Sequence, residues 1–291
     1  MAKPFLKWAG GKRQILPAIR QRLPDNLDQF TTYIEPFVGG GAVLFDLLEK
    51  YEFENVHIAD INPELILCYQ TLQTSAEEVF THLQELIEQY PGEDEARSKF
   101  YYEVRNTWNK NVDRIEQLSE DEKACRVAQT IFLNKTCFNG LFRVNSNGRF
   151  NVPVGRYKKP SFPTKKFLQE IQVALEGVKI HLASYYECDT WVDESTFVYF
   201  DPPYLPLSET SSFTSYSKNG FGLDQQIELV NLFKVLNDKH VKLMLSNSDP
   251  PSGFIDEHYG EFEVKRVPAS RSINSKGEGR GKVNEVIVTN Y

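Results

Sequence analysis

A run of β-branched and aromatic residues at 196–200 leads directly into Asp201-Pro202-Pro203-Tyr204, and this junction constrains the fold more than any other part of the chain. Such a run predicts a buried strand. The two prolines fix the backbone and donate no hydrogen bonds, so the carbonyl beside Asp201 can accept one from a ligand. A carboxylate, a stiff backbone and the aromatic face of Tyr204 together suit a planar ring that carries an exocyclic amine.

An isolated Asp-Pro-Pro sequence is also typical of an ordinary turn. Residues 248–252 contain the same three residues after an apolar run, but no aromatic residue follows, so they are predicted to form a loop. The interpretation of residues 201–204 as a ligand site therefore needs support from other parts of the chain.

Three consecutive glycines, Gly39, Gly40 and Gly41, join a short strand-like run to a helical apolar pattern. Glycines at such a turn let the backbone approach a ligand closely. Asp60 ends the next strand-like run, about 20 residues on, where a dinucleotide-type fold places its ribose ligand. The glycines are also compatible with a simple tight turn, and Asp60 with a cap on the next helix.

The segment 5–12 combines Trp8, two glycines and Lys12. It does not match a phosphate-binding P-loop, because Leu6 stands where the first glycine is needed and Arg13 where a hydroxyl should bind magnesium. The sequence therefore argues against a nucleoside triphosphate ligand. Trp8 alone is also compatible with a plain core aromatic residue.

Residues 8–12, 37–41 and 201–204, in this order along the chain, resemble the motifs of the Dam family of site-specific DNA adenine-N6 methyltransferases, with the α-class order of motifs. The resemblance covers nearly the whole chain and includes residues 137–145 and 148–160, which look like the family's DNA-reading hairpin and its flank. It implies an α/β fold, the doubly wound Rossmann-like sheet of S-adenosylmethionine-dependent methyltransferases. The catalytic core is expected in residues 1–62 and 164–291, with an inserted helical and β-hairpin target-recognition domain in residues 63–163.

The resemblance also implies roles for individual residues in transfer of a methyl group from S-adenosylmethionine to a flipped adenine of double-stranded DNA. The implied catalytic residues are Asp201, Pro202 and Tyr204, with no metal. The implied cofactor-binding residues are Trp8, Lys12, Gly39, Gly40, Gly41, Asp60 and Asp201. The implied DNA-binding residues are Phe138, Asn139, Leu141, Arg143, Pro153, Tyr157 and Lys158. GATC is the family's usual target.

The net charge of −7 hides a strong segregation of charge. Residues 123–169 contain ten lysines and arginines and not one Asp or Glu. A basic run is often only a solvated surface, but here aromatic and asparagine side chains are interleaved with the cations, which favours contact with nucleic acid. The small and polar residues around Arg143 suit a hairpin tip.

Other features exclude further classes of protein. No apolar run approaches the ~20 residues that cross a membrane, and the first residues lack a secretory pattern, which predicts a cytoplasmic protein. The four cysteines form no Cys-x-x-Cys pair and are expected to be small buried residues, and the five histidines lack metal-ligand spacing. We expect a monomer, with a restriction endonuclease as an optional partner.

Several alternatives remain open at the level of sequence. Related pockets serve methyl transfer to cytosine amines, RNA or protein amides, although Asp at position 201 favours adenine in DNA by resemblance. A second alternative is the same chemistry on a longer or different site, as part of a restriction-modification system. A third is a DNA-binding module without catalysis.

The periodicity predicts helices and short strands in alternation. Helices are expected at 75–90 with a capping box from Ser75 to Glu78, at 95–108, from a capping box at Ser119 and Glu122, and at 223–237. Strands are expected near 33–38, 56–59, 178–182, 197–200, 241–245 and 283–289. This alternation predicts a mostly parallel α/β sheet interrupted by a helical and hairpin insertion.

Overall fold

The structure is a computed structural model that describes residues 2–204, 221–250, 252–270 and 282–291. Its described residues form a seven-stranded sheet in the order β3-β2-β1-β4-β5-β7-β6. The strands are β1 Thr32–Glu35, β2 Asn55–Asp60, β3 Lys179–Leu182, β4 Thr196–Phe200, β5 Lys242–Ser248, β6 Glu263–Ser270 and β7 Lys282–Thr289. The strands β1 to β5 pair in parallel, and β7 pairs antiparallel with β5 and β6. The predicted mostly parallel, doubly wound sheet is confirmed.

The helices follow the predicted alternation. They are α1 Leu16–Arg20, α2 Ala42–Leu48, α3 Pro63–Thr74, α4 Ala76–Glu88, α5 Asp94–Lys110, α6 Glu120–Thr136, α7 Lys165–Ala174, α8 Leu223–Asp238 and α9 Phe254–Tyr259. Ser119 caps α6 with both hydrogen bonds of the predicted capping box. None of the described helices is long and apolar enough to span a membrane.

The chain divides into two compact units. The helical unit contains Met1–Gly11, Gly39–Gly41 and Pro63–Glu176, and the sheet unit contains Lys12–Val38, Ala42–Asn62 and Gly177–Tyr291. The boundaries expected from sequence for the catalytic core and the target-recognition domain concern function and stay a prediction.

Within the sheet unit, the central strands are buried along their whole length, as both faces of a parallel sheet require. Apolar residues that alternate along four strands form one core with α8 and α9. The core includes Ile34, Val198, Phe200, Leu243, Leu245, Val286, Val288, Leu229, Phe233 and Phe254. The residues between them in each strand point to the opposite face, because side chains alternate in a strand.

Two local predictions are wrong. Ser75 makes no side-chain cap to α4, because α3 continues to Thr74 and the backbone N–H of Ser75 still bonds the carbonyl of Thr71. Strand β6 was missed, since its sequence is rich in charges and contains Pro268, a residue that an edge strand tolerates. The predicted loop at 248–252 falls partly outside the described residues, which lack residue 251, and Ser248 belongs to β5.

The hairpin stretch of the helical unit contains isolated antiparallel pairs in place of extended strands. These pairs join Cys137 to Val154 and Val144 to Phe150. The tip is tightened by Asn145, whose side-chain oxygen accepts hydrogen bonds from the backbone N–H groups of residues 147 and 149, at 3.0 Å each. Residues Phe138–Gly140 form a separate 3-10 turn before this tip.

The cysteines match the expectation of small, mostly buried residues. Cys68, Cys137 and Cys188 are buried, and Cys125 is half-buried.

A buried ion pair joins two helices of the helical unit. Arg126 of α6 donates to both carboxylate oxygens of Glu64 on α3, with 2.9 Å from Nε to Oε2, and both side chains are buried. Burial raises the pKa of Glu64, and the Arg126 guanidinium opposes that shift. Removing one partner would leave the other as an uncompensated buried charge.

We therefore expect Glu64→Ala to lower the free energy of unfolding by about 3–5 kcal/mol. The matched control is Glu120→Ala, because Glu120 pairs with Lys123 on the surface of the same unit, and such pairs contribute about 1 kcal/mol or less. Urea unfolding of the two variants measures the difference. Equal losses would contradict a special role for the buried pair.

Candidate active site

The carboxyl ends of β1 and β4 lie at the topological switch point of the sheet, where the order of the strands reverses. From β1 the chain continues to β2 on one side, and from β4 to β5 on the other. Doubly wound sheets bind ligands in the crevice at such a point. Glu35 is the last residue of β1, and Asp201 directly follows β4. The sequence therefore places two carboxyl groups at this edge of the sheet.

Asp201 forms an ion pair with a buried lysine. Its Oδ1 lies 2.5 Å from Nζ of Lys12, whose side chain is 3% exposed, while that of Asp201 is 20% exposed. The Ser246 hydroxyl donates to the same oxygen at 3.4 Å and shares a hydrogen bond with the Tyr199 hydroxyl. Burial raises the pKa of Asp201 to about 6, against the opposing effect of the Lys12 ammonium. The carboxyl group is thus ionised at neutral pH.

Tyr204 is held at its ring and at its hydroxyl. Nζ of Lys12 lies 4.5 Å from the ring centroid, a cation–π distance. The hydroxyl donates to Oε2 of Glu285 on β7 at 2.7 Å. Burial, together with the nearby carboxylates of Asp201 and Glu285, holds the pKa of Tyr204 well above its usual value. The hydroxyl therefore keeps its proton and acts as a donor.

The backbone of the proline turn is fixed by a buried amide pair. Nε2 of Gln226 on α8 donates to the carbonyl of Pro203 at 2.8 Å, and Nδ2 of Asn247 donates to Oε1 of Gln226 at 3.0 Å. Both amide side chains are fully buried. Since a buried amide without partners is costly, this arrangement specifies one position for the turn.

Glu35 is a fully buried carboxyl group close to the ion pair. It accepts a hydrogen bond from the Tyr33 hydroxyl at 2.7 Å. Burial, with a further contribution from the Asp201 charge, raises the pKa of Glu35 to about 8. Sequence reasoning missed Glu35 and Glu285. An acidic residue at the end of an apolar strand, four residues before the glycine turn, was the available signal for Glu35.

Three carboxyl groups and one ammonium group thus belong to this cluster, as far as the described residues show. Asp201 and Glu285 interact with each other electrostatically, as do Glu35 and Lys12. The raised pKa of Glu35 favours its protonated form at neutral pH, and the acidic side chains of Asp201 and Glu285 still outnumber the one ammonium group. Such a site favours a ligand that carries positive charge.

Asp60 lies half-buried at the carboxyl end of β2, one strand away from β1. Its Oδ1 accepts from the backbone N–H of Asn62 at 2.9 Å. The neighbouring side chains of Ile61 and Leu182 are each 53% exposed. A carboxylate next to exposed apolar side chains is suited to a ligand with both hydroxyl groups and an apolar ring.

The predicted glycine turn and Trp8 belong to the helical unit. Gly39 and Gly41 have φ values of 47° and 71°, which other residues adopt rarely. A Cβ atom on Gly40 would lie 3.1 Å from Cβ of Trp8, a tight contact that a side chain could make only if Trp8 moved by a few tenths of an ångström. Trp8 is half-buried and stacks on Phe142, with ring centroids 5.2 Å apart. Backbone conformation therefore explains Gly39 and Gly41, and close packing against Trp8 favours a small residue at Gly40.

The predicted DNA-binding residues lie on the stretch 138–158 of the helical unit. Phe138 is 48% exposed, and the adjacent Asn139 has a φ of 57°. Leu141 is half-buried. Nε of Arg143 donates to Oδ1 of Asn151 at 2.7 Å, which fixes an exposed guanidinium on the hairpin.

The remaining predicted residues lie on the returning half of the hairpin. The carbonyl of Pro153 accepts from the backbone N–H of Phe138 at 2.8 Å. The Tyr157 ring lies under the ammonium of Lys7, 4.7 Å from its centroid. The carbonyl of Lys158 accepts from Arg97 at 2.9 Å, while the side chain of Lys158 is exposed.

Not every cation of the basic stretch faces solvent. Arg126 is buried against Glu64, Lys123 pairs with Glu120, and Lys165 pairs with Glu77. The interpretation of the whole run as a surface for phosphates is wrong for Arg126, because the sequence does not show which distant carboxylate meets each cation. The exposed cations of the run include Arg143, Arg149, Arg156, Lys158 and Lys159.

Comparison with known proteins decides between the classes that this arrangement allows. Residues 8–273 match the family model of D12 class N6 adenine-specific DNA methyltransferases. The chain belongs to this family. It is 47% identical to the type II methyltransferase M.MjaIII of Methanocaldococcus jannaschii, over 99% of each chain. It is 40% identical to the type II methyltransferase M1.LlaDCHI of Lactococcus lactis subsp. cremoris, over 99% of this chain and 95% of the relative.

A DNA adenine methylase of Escherichia coli is 35% identical to the chain, over 98% of this chain and 94% of that protein. The protein is thus an adenine-specific DNA methyltransferase, with DNA as its substrate and a requirement for a methyl donor. This confirms the family and the activity expected from the sequence.

The methyltransferase contains no group of three or more His, Cys, Asp and Glu side chains that could hold a metal ion, within the ranges that the structure describes.

Glu35 gives the methyltransferase a defined dependence of stability on pH. Its pKa is about 8 in the folded state against a usual value of 4.5, so the folded protein binds the proton more tightly. The free energy of unfolding should rise as pH falls from about 8 towards 4.5, by at most about 1.4 kcal/mol per pH unit for this group. Asp201 acts in the same direction between about 6 and 3.8.

We expect Glu35→Gln to remove the contribution of Glu35 and leave that of Asp201. Relative to the wild type, the variant should gain stability on going from pH 5 to pH 8.5, which urea unfolding at several pH values measures. A difference between the two proteins that stays constant with pH would show that Glu35 does not titrate in this window.

Proposed function

We propose that this methyltransferase transfers a methyl group from S-adenosylmethionine to the exocyclic amine of an adenine in double-stranded DNA, after the adenine has been flipped out of the helix. The observation that carries the proposal is the sequence 201–204 at the reversal point of the sheet, with its carboxylate paired to Lys12 and its aromatic ring fixed by two contacts. We further propose GATC as the target site, on the family resemblance.

The charge of the cluster supports S-adenosylmethionine as the donor. The acidic side chains of Asp201 and Glu285 outnumber the one ammonium group, which suits a cofactor with a positive sulfur and an ammonium group of its own. When bound, the cofactor would supply an electrophilic methyl group on a positive sulfur. The adenine nitrogen would form the new bond to the methyl carbon, the sulfur would keep the electron pair of the broken bond, and the proton of the methylated amine would be released to solvent. Asp60 would accept from its ribose hydroxyls, beside the exposed side chains of Ile61 and Leu182.

Lys12 and Asp201 complete the proposed cofactor-binding residues of the sheet unit. For Trp8, Gly39, Gly40 and Gly41 of the helical unit, the proposal rests on the family resemblance.

The proposed catalysis depends on position and charge. An adenine amine is a weak nucleophile because its lone pair is delocalised into the ring, and flipping the base out of the duplex costs a few kcal/mol. The base would stack on Tyr204 while the Asp201 carboxylate and the Pro202 carbonyl accept its two N–H groups. These acceptors favour a pyramidal nitrogen with its lone pair free to react. The ionised Asp201 then stabilises the positive charge that grows on this nitrogen.

We expect Asp201→Ala to lower the single-turnover rate of methyl transfer by about 10² or more, the scale of losing one preorganised electrostatic group. Binding of duplex DNA, measured by fluorescence anisotropy, should be retained. The chain offers a matched control in its second Asp-Pro-Pro sequence, where Asp249 pairs with Arg266. Asp249→Ala should leave the rate unchanged, whereas a wild-type rate in the Asp201 variant would remove Asp201 from the mechanism.

The exposed residues of the hairpin support a division of labour in DNA binding. Phe138 and Asn139 are proposed to fill the space that the flipped adenine leaves in the duplex. The exposed Phe138 ring can stack on the bases beside this space, and the Asn139 amide can form hydrogen bonds with the unpaired partner base. Leu141 and Arg143 are proposed to contact base edges, with the guanidinium fixed beforehand by Asn151. The sugar-phosphate backbone of the DNA is the proposed contact of Pro153, Tyr157 and Lys158.

We expect Arg143→Ala to relax specificity at one guanine of the site, since a bidentate arginine contributes ~1–3 kcal/mol of discrimination there. Lys158→Ala should instead weaken binding to all sequences alike and flatten the dependence on salt, as the loss of a phosphate contact does. Methylation rates on all single-base variants of the target measure both effects. An unchanged profile of preferences in the Arg143 variant would remove Arg143 from the base-reading residues.

A role in a restriction-modification system is a second candidate, and the two relatives named as type II methyltransferases favour it. In this case the target could differ from GATC, and an endonuclease that cuts the same site would be the partner. Expression of the protein in a host without DNA methylation, followed by identification of the methylated motif, tests the target directly.

We propose that the protein acts as a monomer.

A further inference from the structure

The Tyr204 hydroxyl is bonded to an acidic residue that lies 81 positions away in the sequence. Glu285 belongs to β7, the antiparallel strand between β5 and β6, and pairs with Ser248 of β5. The antiparallel return of the chain therefore places this carboxylate at the same edge of the sheet as residues 201–204.

The alternation of side chains places Glu285 on the face of the sheet opposite the apolar core formed with α8 and α9. Val286 and Val288 belong to the apolar core on one face of the sheet, so Glu285 points to the other face. Its cross-strand partner Ser248 shares that face with Ser246, which donates to Asp201. The carboxylate of Glu285 is therefore directed to the Asp201 side of the sheet.

The strand by itself gives no reason for an acidic residue at this position. Glutamate is depleted in strands, and a half-buried carboxylate requires hydrogen-bond donors. The Tyr204 hydroxyl is a donor at 2.7 Å. The contact fixes the outer end of the ring, while the Lys12 ammonium covers one face, so that the two together restrict rotation of the side chain.

We propose that Glu285 is a positioning residue for methyl transfer: its carboxylate holds the Tyr204 ring in the plane on which the flipped adenine stacks. This inference rests on the proposed function of Tyr204. Because Lys12 occupies one face of the ring, the adenine would use the opposite face, and an error in the plane of the ring would displace the amine from Asp201.

A double-mutant cycle tests the inference on the full chain with duplex DNA. Tyr204→Phe removes only the hydroxyl, and Glu285→Leu removes only the acceptor. Each should lower the single-turnover rate by about tenfold, and the double variant should be no slower than the slower single variant, because both remove the same hydrogen bond. Glu285→Gln keeps an acceptor oxygen and should restore most of the rate.

A second measurement does not depend on the cofactor. The fluorescence of 2-aminopurine at the target position reports how a flipped base is stacked in the complex of protein and DNA. We expect Tyr204→Phe and Glu285→Leu to change this fluorescence in the same direction and by the same amount. Glu263→Leu is the matched control, since Glu263 is an exposed glutamate on the neighbouring strand β6 and should change neither readout.

Two results would overturn the inference: losses that multiply to about 100-fold in the double variant, or a wild-type rate and fluorescence in Glu285→Leu. If Glu285→Leu does not fold, Tyr204→Phe and Glu285→Gln still test it, because the first must be impaired and the second active. Tyr204→Ala distinguishes a failure of the proposed function of Tyr204 from a failure of the positioning role of Glu285. A wild-type rate in that variant would contradict the proposed function, whereas an impaired Tyr204→Ala with a normal Tyr204→Phe would contradict only the role of Glu285.

Discussion

The ion pair between Lys12 and Asp201 is the interaction on which the active site depends. An ammonium group with 3% exposure would be strongly unfavourable without a partner. Asp201 supplies this partner, and the same ammonium covers the ring of Tyr204. Because Tyr204 is in turn bonded to Glu285, one buried cation connects Asp201 to the ring of Tyr204 and, through it, to Glu285, the three side chains of the proposed mechanism. The negative charge that remains around this cation suits a positively charged methyl donor.

The sheet provides the rigidity that such a cluster needs. Strand ends at the reversal point of the order β2-β1-β4-β5 place Glu35 and Asp201 at one edge. The buried pair of Gln226 and Asn247 then fixes the backbone at Pro203. Sites built on strands and supported by satisfied buried groups hold their geometry more precisely than sites on loops. Chemistry that depends on position and charge requires this precision.

The cations of the basic stretch have different surroundings within the helical unit. In the helical unit, Arg126 is buried and stabilises the packing of α6 on α3 through Glu64. Arg143, in the same basic stretch, is exposed and fixed by Asn151. The run of like charge in this sequence therefore contains both a buried structural cation and exposed cations. The exposed remainder can attract the DNA backbone even though the protein as a whole is acidic.

The sequence by itself determined the alternation of helices with the strands other than β6, the capping box at Ser119 and the family, and it predicted Asp201 and Tyr204 as site residues. These features depend on local patterns: alternation, capping chemistry and a motif of four adjacent residues. Only the tertiary structure decided that Lys12 pairs with Asp201, that Glu35 and Glu285 belong to the same cluster, and that Arg126 is buried. These facts depend on which distant residues the strand order and the antiparallel return of β7 bring together. A single sequence contains no local signal for such contacts, since the partner of a charged side chain can lie hundreds of residues away.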